Sequence, residues 1–233
     1  MVEALHNLIE ENIALIDKVI NNVTITLISG NKYLVTTDCN SKYVILNKYV
    51  TINGNQCKVI DITDNTFTVE SAIDITIYKS VTLFDANYFK HGTVKQAIGE
   101  IRQENPTGDV IDIDPLIYLK EVISEKVNTK YSESPIARET KVKIFFMTNS
   151  SRIDWKTDDH YIYAINPMNR LANLFVDALN KNTKFQKIKE FDVTFYANFG
   201  TYEDKGFMKQ IFDNNYSGVE LEITLQINKT NCC

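Results

Sequence analysis

The sequence predicts an α+β protein in which an antiparallel sheet carries two or more helices on one face and is interrupted by a small hairpin-built β-barrel or sandwich. Three observations predict it. Apolar residues recur at three- and four-residue steps near the N-terminus and again around Met168; a purely β-patterned block fills residues 23–84; and several later segments alternate apolar with polar residues. With 23–84 removed, residues 1–22 and 85–233 form one α+β layer, and a hairpin-built insert brings its two ends close together, as an insertion requires.

The first element is a helix over 3–20, with Leu5, Leu8, Ile9, Ile13, Ile16, Val19 and Ile20 on one stripe and Glu10, Glu11 and Asp17 off it. Asn21-Asn22 ends it. Strands follow at VTITLIS, KYLVTT, KYVIL, YVTI, CKVIDIT, TFTVES and ITIYKSVTLF, separated by turns at Gly30-Asn31, Asn53-Gly54-Asn55 and Asp64-Asn65. Period three to four then returns: Val94, Ala97, Ile98 and Ile101 give a helix over 93–104, and His91, before Gly92, reads as a helix-entry residue. Strands are predicted at 115–120, despite the starting proline, and at 141–147, with a polar loop at 131–135 between them and another over 149–159. Pro167 opens a helix whose broad apolar face includes Met168, Leu171, Phe175 and Leu179. The segments 190–197 and 218–227 read as strands with one solvated face, joined by a long aromatic-rich connection.

Composition narrows the function. Of 233 residues, 25 are Lys or Arg and 30 are Asp or Glu, a net charge of -5, which argues against a domain built to grip nucleic-acid phosphates. The N-terminus lacks a basic region followed by an apolar core, so no signal peptide is expected, and no run reaches the ~18 apolar residues of a membrane span. Cys39, Cys57 and the Cys232-Cys233 pair fit no metal-ligand spacing; Cys39 and Cys57 read as small core residues, and no metal or cofactor is expected.

No nucleophile elbow, phosphate-binding loop, dinucleotide fingerprint or zinc-protease helix occurs. The best local cluster, Asp154-Trp155-Lys156-Thr157-Asp158-Asp159-His160, could orient a general base or bind a metal through Asp158, Asp159 and His160; the alternative is a solvated loop leading into a strand at 161–163. Asp112 and Asp114 alternate in a strand-like stretch and need be no more than its polar face. Binding surfaces are better supported. Trp155, Tyr161 and Tyr163 lie in or beside an exposed loop, and Tyr196, Phe199, Tyr202 and Phe207 mark the long connection, so these seven are the candidate interface; the alternative for Tyr161 and Tyr163 is that both point to one side of their strand as core.

Four stretches carry a family resemblance: Phe89-Lys90-His91-Gly92-Thr93, Pro115-Leu116-Ile117-Tyr118-Leu119, Ile144-Phe145-Phe146-Met147, and Asp159-His160-Tyr161 followed by Ile165-Asn166-Pro167-Met168. Together they resemble small virion proteins of tailed bacteriophages that infect Bacteroidota, including the crAss-like phages. The resemblance implies a neck component, meaning a head–tail connector, ring or tail-terminator-like protein that is structural rather than enzymatic. It implies a homo-oligomeric ring of about 6 or 12 copies, closed by head-to-tail contacts. Its partners would be the portal and adjacent neck or tail proteins, with DNA passing through without sequence recognition and no membrane involved. The location implied is the virion neck or tail, and the host cytoplasm during assembly. Loops at 128–140 and 198–217 would reach neighbours, and the strands at 190–197 and 218–227 would form the interface. The alternative is a baseplate- or fibre-associated binding module whose β insert recognises a receptor or carbohydrate.

Overall fold

A computed structural model describes residues 2–16, 19–37, 44–63, 65–83, 88–93, 115–128, 137–150, 154–199, 201–204, 207–210 and 215–226. The helix expected over 93–104, apart from Thr93, the carboxylates Asp112 and Asp114, the loop at 131–135, and Cys39, Cys232 and Cys233 lie outside these residues. The protein is mixed α+β with mostly antiparallel sheets. It divides into two compact units, one of residues 1–16 with 87–233 and one of residues 17–86, against boundaries of 22/23 and 84/85 drawn from the sequence.

The smaller unit is a seven-stranded sheet: β1 (Val19–Asn21), β2 (Thr24–Ser29), β3 (Lys32–Thr36), β4 (Tyr49–Ile52), β5 (Asn55–Ile62), β6 (Thr66–Glu70) and β7 (Ser80–Thr82) in the order β1-β7-β4-β5-β6-β3-β2. The strands at the two ends of that order, β1 and β2, are consecutive in the chain with only Asn22 and Val23 between them. The sheet must therefore curl until its edges nearly meet, which makes it a barrel. Val23 N–H donates to the Lys79 carbonyl, 3.1 Å away, and so carries the β1–β7 pairing on toward the start of β2. Inward residues of alternating strands fill the interior: Ile25, Val35, Val50, Ile52, Cys57, Val59, Phe67, Val69 and Val81 are buried, and Ile75 plugs the barrel from the segment between β6 and β7. Asn53 and Gly54 both take positive φ (49° and 79°), the backbone that a two-residue hairpin turn between β4 and β5 requires.

Three expectations fail in this region. The N-terminal helix α1 (Val2–Ala14) stops short of Val19 and Ile20, which instead form β1 and pair with β7. Val19 and Ile20 continue the helical period only by coincidence; both are β-branched, and burying Ile20 in the barrel outweighs a further turn of helix. Of the stretch 75–84, described as far as Leu83, Ser80–Thr82 is strand and the rest of the described part is not, because Asp74 accepts hydrogen bonds from the backbone and hydroxyl of Thr76 and turns the chain there. No strand forms at Val44, Ile45 and Leu46 either, the described part of KYVIL.

The larger unit holds a five-stranded sheet: β8 (Tyr88–Gly92), β9 (Leu116–Asn128), β10 (Ala137–Asn149), β11 (Asp192–Phe199) and β14 (Tyr216–Gln226) in the order β11-β14-β10-β9-β8. Among the described strand pairs of this sheet only β8–β9 is parallel. His91 is thus a strand residue, not a helix entry. A hairpin, β12 (Thr201–Asp204) with β13 (Phe207–Gln210), occupies the connection between β11 and β14.

Helices cover one face of this sheet. Phe146 of β10 packs its ring against Phe175 of the long helix α3 (Asn166–Lys181), at 5.7 Å. Phe146 pairs with Ile117, which pairs with Phe89, so Phe89 and His91 point to the same side, where the His91 ring lies 4.2 Å from that of His6 on α1. The buried stripe of α1, Leu5, Ile9 and Ile13, lies on that side too. Buried Asn12 accepts a hydrogen bond from Asn182 and donates to the Leu8 carbonyl, and Lys184 pairs with Glu11 at 2.8 Å, so polar groups clamp α1 to the end of α3.

The strand expected at 161–163 is instead helical. Thr157–His160 forms one α-turn, α2; Tyr161–Ile165 is a π-helical segment; α3 follows without a break. Pro167 explains the wide turn: it has no N–H for the carbonyl four residues back and its ring crowds that carbonyl, so the preceding turn opens, and Asn166 N–H reaches back five residues to the Tyr161 carbonyl.

Candidate functional site

Of the seven aromatic candidates, Trp155, Tyr161, Tyr163, Tyr196 and Phe199 have described side chains, and these five do not form one patch. The structure distributes them around β11, the outermost of the described strands in the larger sheet.

On the helix-bearing side, the π turn splits neighbours in the sequence. Trp155 and Tyr163 are half-buried and pack together at 5.8 Å, with His160 beneath Trp155 in an edge-on contact at 5.3 Å. Tyr161 and Ile162 point outward, 43% and 53% exposed, and Tyr161 meets Phe195 of β11, itself 48% exposed, at 6.5 Å between rings. Ile162 and Phe195 were not singled out from the sequence. The available signal was the run Val193-Thr194-Phe195-Tyr196, which puts an aromatic on each face of one strand.

On the opposite side, Tyr196 and Phe199 close over Phe145, at 6.2 and 4.8 Å, and Phe145 stacks on buried Tyr118. The register between β11 and β14 is regular from Asp192 to Tyr196 and slips before Phe199, a bulge that turns Phe199 onto this cluster. Tyr202 and Phe207 lie in the β12–β13 hairpin, opposite Lys209 and Asp204 respectively. The expectation of one solvated face on both flanking strands holds poorly for β14, where Tyr216 to Leu221 are all buried, because it is an inner strand covered on both sides.

Polar groups lock the base of this arrangement. Glu220, only 6% exposed, accepts hydrogen bonds from Lys143 Nζ at 2.5 Å and Tyr196 Oη at 2.8 Å, and Lys143 also reaches Glu222 at 2.9 Å. Hydrogen bonds to Glu220 and Glu222 hold the Lys143 ammonium well above its ordinary value, and bonds from Lys141 and Lys143 hold the Glu222 carboxyl below its own. Burial pushes the Tyr196 hydroxyl up, as does its bond to Glu220. A cleft of about 570 Å³ opens beside the start of β11, lined by Lys141, Lys189, Glu190, Phe191, Asp192, Glu222 and Thr224.

The Asp158, Asp159 and His160 group comes apart. Asp158 is exposed, Asp159 accepts the Lys156 backbone N–H at 2.7 Å as a helix cap, and His160 turns into the protein. His160 Nδ1 lies 2.8 Å from Ser217 Oγ, which also contacts Ser150 Oγ and the Ala197 carbonyl at the bulge. Ser217 has one proton, and a carbonyl can only accept. The Ser217 proton therefore goes to Ala197, and neutral His160 donates from Nδ1. Ser217 is fully buried, so this pair braces β11 rather than presenting a nucleophile to solvent. Among the described residues no three His, Cys, Asp or Glu side chains gather as metal ligands, and no helix is long and apolar enough to cross a membrane.

Burial holds the His160 ring below its ordinary pKa. The folded state then resists a proton that the unfolded chain accepts, so stability is fully present above about pH 6.5 and declines below it, by up to about 1.4 kcal/mol per pH unit. Urea midpoints measured from pH 7.5 to 5 should fall less steeply for His160→Gln than for the wild type; equal slopes would show that His160 does not carry this term.

Comparison with protein-family models, with curated proteins and with solved structures yields no match.

Proposed function

We infer that the protein is a structural virion subunit of a tailed phage, a tail-terminator-like neck protein that assembles into a homo-oligomeric ring joining head or portal to tail. One observation carries the assembly part of this reading: among the described strands β11 pairs on one side only, through β14, and exposed Phe195, Tyr161 and Ile162 lie at its Asp192–Tyr196 stretch. A sheet edge beside exposed aromatic surface is the arrangement that strand addition uses, and a monomer left to itself would be expected to blunt it. The acidic chain suits a lumen past which DNA slides, since like charge keeps phosphate from adhering. The virion, the ring and its partners rest on the family resemblance.

The second reading, a baseplate- or fibre-associated binding module, is favoured by the barrel. Leu27 and Ile28 near the β2–β3 turn are more than half exposed, and Ile73 and Ile77 are exposed on the segment after β6. Ser71, where that segment begins, donates its N–H to the Asn31 carbonyl of the same turn. Electron microscopy of purified particles, with the chain located by a fused tag, separates the two. Density in a ring between head and tail is expected; density at the baseplate supports the second reading, and absence from particles removes both.

A further inference from the structure

The edge that β11 presents has an internal symmetry. Its regular stretch runs from Asp192 to Tyr196, bounded on one side by the start of the strand and on the other by the bulge before Phe199. Its midpoint is Thr194. We propose that in the free protein this edge is covered by the same edge of a second copy, the two β11 strands running antiparallel about a two-fold axis at Thr194.

That register sets Thr194 against the partner's Thr194, Val193 against the partner's Phe195, Phe195 against the partner's Val193, and Asp192 against the partner's Tyr196. Thr–Thr and aromatic–β-branched pairs are among the cross-strand pairs that stabilise antiparallel ladders, and Asp192, the one charge in the stretch, meets no like charge. Alternation puts both Val193–Phe195 pairs on the helix-bearing side, where exposed Tyr161 and Ile162 extend the apolar contact. The neighbouring registers fit less well: centring on Phe195 runs the ladder into the bulge, and centring on Val193 places Phe195 opposite a residue that precedes the strand. A two-fold pair has no polarity, whereas a ring stacked in a neck does. The pairing therefore belongs to the unassembled protein, protecting the edge until assembly replaces it, and it stands on the geometry of β11 independently of the ring reading.

The test is self-crosslinking. A residue on the two-fold axis faces its own copy, and directly opposed Cα atoms about 4.5–5.5 Å apart suit a disulfide. In protein carrying Ser at 39, 232 and 233, Thr194→Cys should give a covalent dimer on mild oxidation, whereas Val193→Cys and Phe195→Cys should do so only when combined. Sedimentation of the unmodified protein should show a concentration-dependent dimer that Phe195→Lys abolishes without lowering the thermal midpoint. A wild-type monomer at all concentrations overturns the pairing. So does crosslinking at Thr194→Cys no faster than at the exposed control Thr26→Cys. Neither result bears on whether particles contain a ring.

Discussion

Gly218→Val should destabilise the larger unit by about 4 kcal/mol, the upper range for a single substitution, and should do so through sterics alone. Gly218 sits in β14 opposite Met147 of β10 and Tyr196 of β11, and a Cβ built there would stand 2.0 Å from the Phe146 carbonyl oxygen and 2.9 Å from Met147 Cα. These are backbone atoms of the neighbouring strand, so no side chain can rotate away. The two central strands would have to part or change register, and a slip of one residue would turn Val219, Leu221 and Ile223 out of the core. Gly30→Ala is the contrasting case. A Cβ at Gly30 meets nothing within 4 Å, yet its φ of +56° strains any L-residue, at about 1 kcal/mol. Urea unfolding of both variants checks the argument; a Gly218→Val loss no larger than that of Gly30→Ala would mean that β14 and β10 are not packed this closely.

Gly218 opens the stretch 218–227, and nothing local in the sequence marks how closely β10 passes it. Alternation located β4, β5, β11 and β14, and a strongly apolar run located β10, which is buried on both faces. The face of α3 was equally plain. What failed were short elements whose identity is set by partners distant in the chain. β1 is three residues that pair with β7 some sixty positions later, and β8 is a strand only because β9 lies beside it. The π turn depends on Pro167 acting on the residues before it, so a starting signal for one helix was also a distortion inside a longer one.

The candidate site was legible to the same degree. Aromatic residues around 161 and 196 pointed to the right strand and helix, but a strand reading of 161–163 places Tyr161 and Tyr163 on one side, whereas the helical turn exposes Tyr161 and half-buries Tyr163. His160 meets Ser217 across 57 positions, and Lys143 meets Glu220 across 77, so neither pair leaves a local signature.

The Lys143–Glu220 pair supports the second large effect. Lys143→Met should cost about 2 kcal/mol, while Lys143→Met combined with Glu220→Met should recover most of it. Removing one partner of a buried pair strands the other charge, whereas replacing both with apolar groups removes the desolvation penalty along with the attraction. The figure is set below the ~3–5 kcal/mol of a fully buried pair because the Lys143 side chain is 40% exposed and solvent screens it. Acid provides an independent check. Glu222 is held below its ordinary value in the fold, so its stabilising contribution is present above about pH 4.3 and is lost as the pH falls through its folded value. Lys143→Met removes one of the two ammonium groups that hold Glu222 there, so the variant has less of this contribution to lose on acidification. The gap between wild type and variant should therefore be widest near neutral pH and close on acidification; a gap that stays constant to pH 3 would show that lost packing, not charge, causes it. The same network ties the edge strand to the sheet, since Tyr196 reaches Glu220 from β11 and β11 is paired only through β14 among the described strands. Loosening it should weaken any contact made through that edge before it unfolds the protein, so Tyr196→Phe, which keeps the ring and removes the hydroxyl, should lower self-association more than it lowers the thermal midpoint.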